Sequence, residues 1–124
     1  MRKIDHSVEF NIGLHSAKLG NVPLSLVFDR CRSRGLYVLQ SQVEKVQHGH
    51  GTEQTLVGRW LANGHGFFDR VFLLAQDLGQ DCIAVRYGDG TGELIGPHAE
   101  DWGEFNPAYF VNPGLAFPYQ KVAA

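Results

Sequence analysis

The sequence predicts an α+β fold in which one antiparallel sheet carries two helices on one face. Three observations predict it: two segments with helical spacing of apolar residues, several segments that alternate as strands do, and 15 glycines, most of which fall between them. Glycine takes positive φ without steric cost, so it marks turns and helix ends. A chain of 124 residues is of a length that builds one core. It is read as a single domain over 1–124, with its core at about 8–96 and an irregular tail over 97–124.

Val8 to Leu14 alternates apolar and polar residues, the pattern of a half-buried strand. Val22 to Arg34 has helical spacing: Leu24, Val27, Phe28 and Cys31 make one apolar face. Asn21 is suited to cap it, Pro23 to its first turn and Gly35 to the position just past its end. Leu36 to Val46 reads as a second strand, with Tyr37, Leu39, Ser41 and Val43 on one face. A polar tip, Gln47 to Glu53, leads to a third strand, Gln54 to Leu61, whose buried face the pattern does not decide. Gly66 to Leu78 is a second helix, with Phe67, Val71, Leu74 and Leu78 on its stripe. Phe68, Phe72 and Leu73 widen that stripe, so burial on more than one side is expected. Asp81 to Tyr87 is a fourth strand, and Glu93-Leu94-Ile95 returns beside it after a glycine-rich turn.

The order β-α-β-β-α-β, plus the extra strand, is that of the ferredoxin-like fold. Composition excludes other classes. A hydrophobic content of 44% and a net charge of −2 argue against disorder and against a dedicated nucleic-acid binder. No apolar run has the length of a membrane span. The first five residues do not lead into a secretory core, so a cytoplasmic protein without a membrane role is expected.

Six histidines invite a metal reading. His48 and His50 are two apart, and on an extended segment such residues point to one side. The proposed order brings the loop bearing His15, and the end of the extra strand bearing His98, to the same end of the sheet. A transition metal such as zinc held by His48, His50, His15 and His98 is therefore an alternative to the expectation of no cofactor. Cys31 and Cys82 read as small buried hydrophobes. The segment Gly88 to Glu93 lacks the helix and the Lys-Ser/Thr ending of a phosphate loop, and the regular ligand spacing of a calcium loop. It reads as a hairpin turn.

Charge is divided unevenly. Residues 1–60 hold eight basic and five acidic side chains, and residues 61–124 hold three and eight. From Gly88 to Asn106 there are five acids and no base. Asp89, Glu93, Glu100, Asp101 and Glu104, with Trp102 among them, form the candidate binding surface, since charge steers approach and aromatics anchor interfaces.

The stretches Leu78 to Val85, Gly92 to Pro97 and Trp102 to Pro107 resemble the C-terminal part of small uncharacterised proteins carried by phages and plasmids. The resemblance covers about a third of the chain and implies a mobile-element origin. It implies a small non-enzymatic protein–protein binding module, an inhibitor of a host defence system being the specific expectation. A small metal-dependent enzyme and an oligomeric small-ligand-binding domain are the alternatives. A protein partner is expected, with a homodimer as a further outcome.

Overall fold

Val8, Phe10 and Ile12 alternate with Ser7, Glu9 and Asn11 along the first strand, and that alternation organises the molecule. In the computed structural model, residues 7–48, 51–61, 66–88 and 90–103 are described, excepting the side chains of 46–48 and 51–52. The elements are β1 (Ser7–Gly13), β2 (His15–Ser16), β3 (Gly20–Asn21), α1 (Leu24–Ser33), β4 (Tyr37–His48), β5 (Gly51–Leu61), α2 (Phe67–Asp77), β6 (Ile83–Arg86), β7 (Gly92–Ile95) and a final 3₁₀ turn, Ala99–Trp102. Five strands form one sheet in the order β4-β5-β1-β6-β7, every pair antiparallel. The architecture is mixed α+β, a five-stranded antiparallel sheet with two helices.

Both helices contribute to one apolar cluster on one face of the sheet. Val27 and Cys31 from α1, and Val71, Leu74 and Ala75 from α2, meet Val8, Phe10, Ile12, Leu56, Trp60, Ile83, Val85 and Ile95. Register explains the set, because Ile12 pairs with Leu56, Val8 with Trp60, Phe10 with Val85 and Ile83 with Ile95. Phe10 and Trp60 stack with centroids 4.2 Å apart and planes inclined by 17°. The stack fits because the residue paired with Phe10 is Gly58. Arg34 joins the ends of the two helices by a bidentate pair with Asp77, at 2.7 and 2.8 Å.

Several local expectations are corrected. Helix α1 begins after Pro23 with no side-chain cap, because Asn21 is held in the β2–β3 pairing opposite His15. A bulge between Val38 and Gln40 breaks the simple alternation of β4. Val38 then shares a face with Ser41 and Val43, paired with Trp60, Gly58 and Leu56, while Tyr37 lies on the other side. Strand β4 also runs further, pairing to His48↔Gly51 through most of the segment read as a polar tip. On α2, Phe68 is 50% exposed and Leu73 38% exposed. Phe72 packs half-buried against the core beside the stripe of Val71, Leu74, Ala75 and Leu78, so the stripe is widened at that residue and not at Phe68 or Leu73. Finally, β1 is not half-buried: Ser7, Glu9 and Asn11 are as enclosed as their apolar neighbours.

Candidate functional site

The face of the sheet turned away from the helices is built in rows. Gln40, Arg59, Glu9, Arg86 and Gly92 form one row across the five strands, and Gln42, Val57, Asn11, Ala84 and Leu94 form the next. Directly opposed side chains on neighbouring strands interact. Glu9 is 1% exposed, and Arg86 donates to its Oε1 at 2.7 Å. Arg59, on the other side of Glu9, donates to Ser7 Oγ. A buried carboxylate persists only when paired and hydrogen-bonded, and the two flanking arginines supply that environment.

At one end of this face lies a cleft of about 630 Å³. Three strand ends, the turn after α2 and the 3₁₀ turn build it. Asn11 and Gly13 come from β1, His15 and Ser16 from β2, Glu53 from β5, and Gln80, Asp81 and Cys82 from the segment before β6. Trp102 stands on its wall. Two glycines permit this construction. Gly13 carries no side chain where a Cβ would meet the Glu53 carboxylate and come within 3.3 Å of Gln80 Oε1. Gly79, at φ +63°, ends α2 in the left-handed conformation and leaves room for Ser16, whose Oγ would lie 2.9 Å from a Cβ. Ser16 Oγ in turn accepts the Leu19 backbone N–H at 2.9 Å, closing the turn between β2 and β3.

Burial pushes the Cys31 thiol up to about 11, an effect partly offset by the Trp60 side chain. Burial and then the Asp81 charge push Cys82 up to about 12. Both groups are protonated at neutral pH, and a thiol is a poor nucleophile. Native protein is expected to react slowly with a thiol-specific reagent at about pH 8, and quickly once unfolded. The pH dependence has a definite sign. Both native pKa values lie above the ordinary 9.0, so above that value the unfolded chain has released protons that the native state keeps. The stability they contribute is complete below about pH 9 and is lost as pH rises through the native values. Tyr87, raised first by burial and then by Glu93, acts in the same direction. A falling urea midpoint between about pH 9 and 11 is the expected measurement; a flat one contradicts it.

The residues expected to bind a partner are distributed rather than gathered. Glu93 pairs in register with Val85, a core residue on the helix side, and accepts the Tyr87 hydroxyl at 3.0 Å. Glu100 and Asp101 are exposed on the 3₁₀ turn. Trp102 faces the cleft on the opposite side of the sheet from Glu93. Asp89 and Glu104 lie outside the described residues.

Of the histidines, His15 lines the cleft, and His98 is exposed with Nδ1 3.7 Å from Asp101 Oδ2. The backbone of His48 pairs with Gly51 at the hairpin end, and His50 lies outside the described residues. Among the described residues, no three of His, Cys, Asp and Glu form a group suited to a metal ion. Among them, too, no helix is long and apolar enough to cross a membrane.

No family model, curated protein or solved structure matches the chain. Its function is therefore read from its own geometry. Asn11, Glu53, Gln80 and Asp81, which build the cleft, were not singled out by sequence. They come from three separated segments with no motif, and Asn11 reads there as a solvent-facing strand residue.

Proposed function

We propose that the chain is a non-enzymatic protein-binding module of ferredoxin-like arrangement that accepts an extended strand of its partner along the outer edge of β4. The arrangement is supported by the crossovers. Helix α1 links β1 to β4 across β5, and α2 links β5 to β6 across β1. The binding mode is carried by one observation. Strand β4 is 12 residues long, ends the sheet among the described residues, and leaves Tyr37, Leu39 and Val43 at 68, 47 and 42% exposure.

An edge strand presents a row of backbone donors and acceptors, and proteins usually blunt long ones with charge, proline, bulges or cover. Between Tyr37 and Val43 this edge has no charge and no proline, and the bulge between Val38 and Gln40 is the one such device it carries among the described residues. Strand addition to such an edge gives affinity through the backbone and specificity through alternate side chains. The class of partner implied by the phage- and plasmid-like stretches is a protein of a host defence system. The exposed acids Glu100 and Asp101 would steer its approach.

The test is recovery of bound host proteins by the tagged chain and by L39K/V43K, with light scattering of each. Both changed positions are exposed, so stability is expected to move by no more than about 0.5 kcal/mol. The expected result is a bound protein present with the native chain and absent with the double variant. Equal recovery with both, or none with either, overturns the proposal. Conversion of a dimer to a monomer by the same substitutions would identify the partner as a second copy.

A further inference from the structure

We infer that the face of the sheet turned away from the helices is a docking surface for the chain's own segment 104–124. The inference stands apart from the reading of the β4 edge.

Burial is the first observation. On a sheet face left to water the tips of the side chains stay exposed, because side chains stand roughly perpendicular to the sheet and lateral neighbours shield their flanks. Here Glu9 and Val57 are 1% exposed and Ser7 7%. The taller side chains beside them are withdrawn as well. Arg86 has 12% of its side chain exposed, and Arg59 and Gln42 are half-buried. The Nε atoms of both arginines are out of contact with solvent.

The described elements do not supply a cover for the middle of this face. Both helices pack on the opposite side. The β2–β3 hairpin and the 3₁₀ turn stand at the cleft end, where His15, Ser16, Asn21 and Trp102 line the wall. Ser7, Glu9 and Val57 lie beyond the cleft, further along β1 and β5.

Segment 104–124 has the starting point, the reach and the chemistry. It follows Trp102 and Gly103, so it sets out from the edge of this same face. Five strands about 4.8 Å apart make a face roughly 19 Å wide, which about six residues of extended chain cross. The segment carries Phe105, Tyr109, Phe110, Phe117 and Tyr119 but only two charged side chains, Glu104 and Lys121. Aromatic side chains bury about 150–250 Å² each, and Val57, Ala84 and Leu94 offer them an apolar row across the sheet. Its amides, Asn106, Asn112 and Gln120, both donate and accept, which suits the polar positions Glu9, Asn11, Arg59 and Arg86. Residues 1–6 fit less well: they are few, include Arg2, Lys3, Asp5 and His6, and join β1 at the end far from the cleft.

The experiment is NMR of the full chain, labelled with ¹³C and ¹⁵N. The expected result is nuclear Overhauser contacts from the Val57 and Ala84 methyl groups to ring protons of the 104–124 aromatics, within one molecule. A mixture of labelled and unlabelled chains separates these from contacts between copies. Relaxation by a soluble gadolinium chelate, which reports solvent access, is the second readout. In the native chain Val57 and Ala84 are expected to be as protected as the core residue Val85. In a full-length variant carrying Phe105→Ser, Tyr109→Ser, Phe110→Ser, Phe117→Ser and Tyr119→Ser, they are expected to relax several-fold faster while Val85 stays protected. Exposure of Val85 as well would show that the variant has unfolded, and the contacts in the native chain then decide. Contacts from Val57 and Ala84 to residues 1–6 instead, contacts found only between copies, or no contact beyond the sheet each overturn the inference. So does unchanged protection of both methyl groups in a folded serine variant.

Discussion

Replacing Arg86 with alanine is expected to destabilise the protein by about 3–5 kcal/mol. The carboxylate of Glu9 is 1% exposed and the Arg86 side chain 12%, with 2.7 Å between Oε1 and Nη2. Neither group has water to fall back on. Removing the guanidinium leaves a negative charge in a site that cannot hydrate it, and that penalty exceeds the worth of the intact pair. Arg59 stands opposite Glu9 in register and hydrogen-bonds Ser7. It limits the damage without replacing the direct contact.

The double variant separates the two meanings of this pair. Glu9→Leu with Arg86→Met removes both charges and keeps apolar volume, and it is expected to be far less destabilising than Arg86→Ala alone. Urea unfolding of the three proteins gives the comparison, since a change in midpoint at constant slope reports stability. A loss below about 1 kcal/mol for Arg86→Ala would show that Glu9 is held by its other neighbours.

The same row shows where sequence was legible and where it was not. Elements appear where an apolar period is uninterrupted: Val8, Phe10 and Ile12 read as one strand face, and Val71, Leu74 and Leu78 as one helix stripe. Each is found in the core. Glu9 and Asn11 are polar by the same alternation, yet they are buried, because cross-strand partners decide their environment and those lie some 50 and 75 residues away. Likewise, alternation in β4 fails at the bulge, a property of its pairing with β5. Asn21 was available as a cap but was claimed by His15 across a two-residue ladder. The cleft is the extreme case. Glu53, Gln80 and Trp102 meet only after the sheet has formed, and the one local signal was a glycine, Gly13, at the end of a strand where a branched residue would otherwise suit the ladder.

Gly58→Ala is expected to cost about 3 kcal/mol or more, at the upper end for an added methyl in a packed core. A Cβ at this position would strike the Gln40 carbonyl oxygen and lie 2.7 and 2.9 Å from two carbons of the Phe10 ring. Neither neighbour is free to yield. The carbonyl belongs to the strand segment fixed by the β4 bulge. The ring is stacked on Trp60, itself fully buried, so retreat would push a second aromatic into the helices. If the ring is the main obstruction, Phe10→Leu should rescue part of the loss, with a coupling of about 1–3 kcal/mol in a double-mutant cycle. If the carbonyl dominates, the two costs will add instead. Protection of β4 amides from hydrogen exchange would then fall in Gly58→Ala, because the bulged strand must move away from β5. A glycine in mid-strand usually weakens a sheet. Here its missing side chain is what lets the bulge and the Phe10–Trp60 stack occupy the same place.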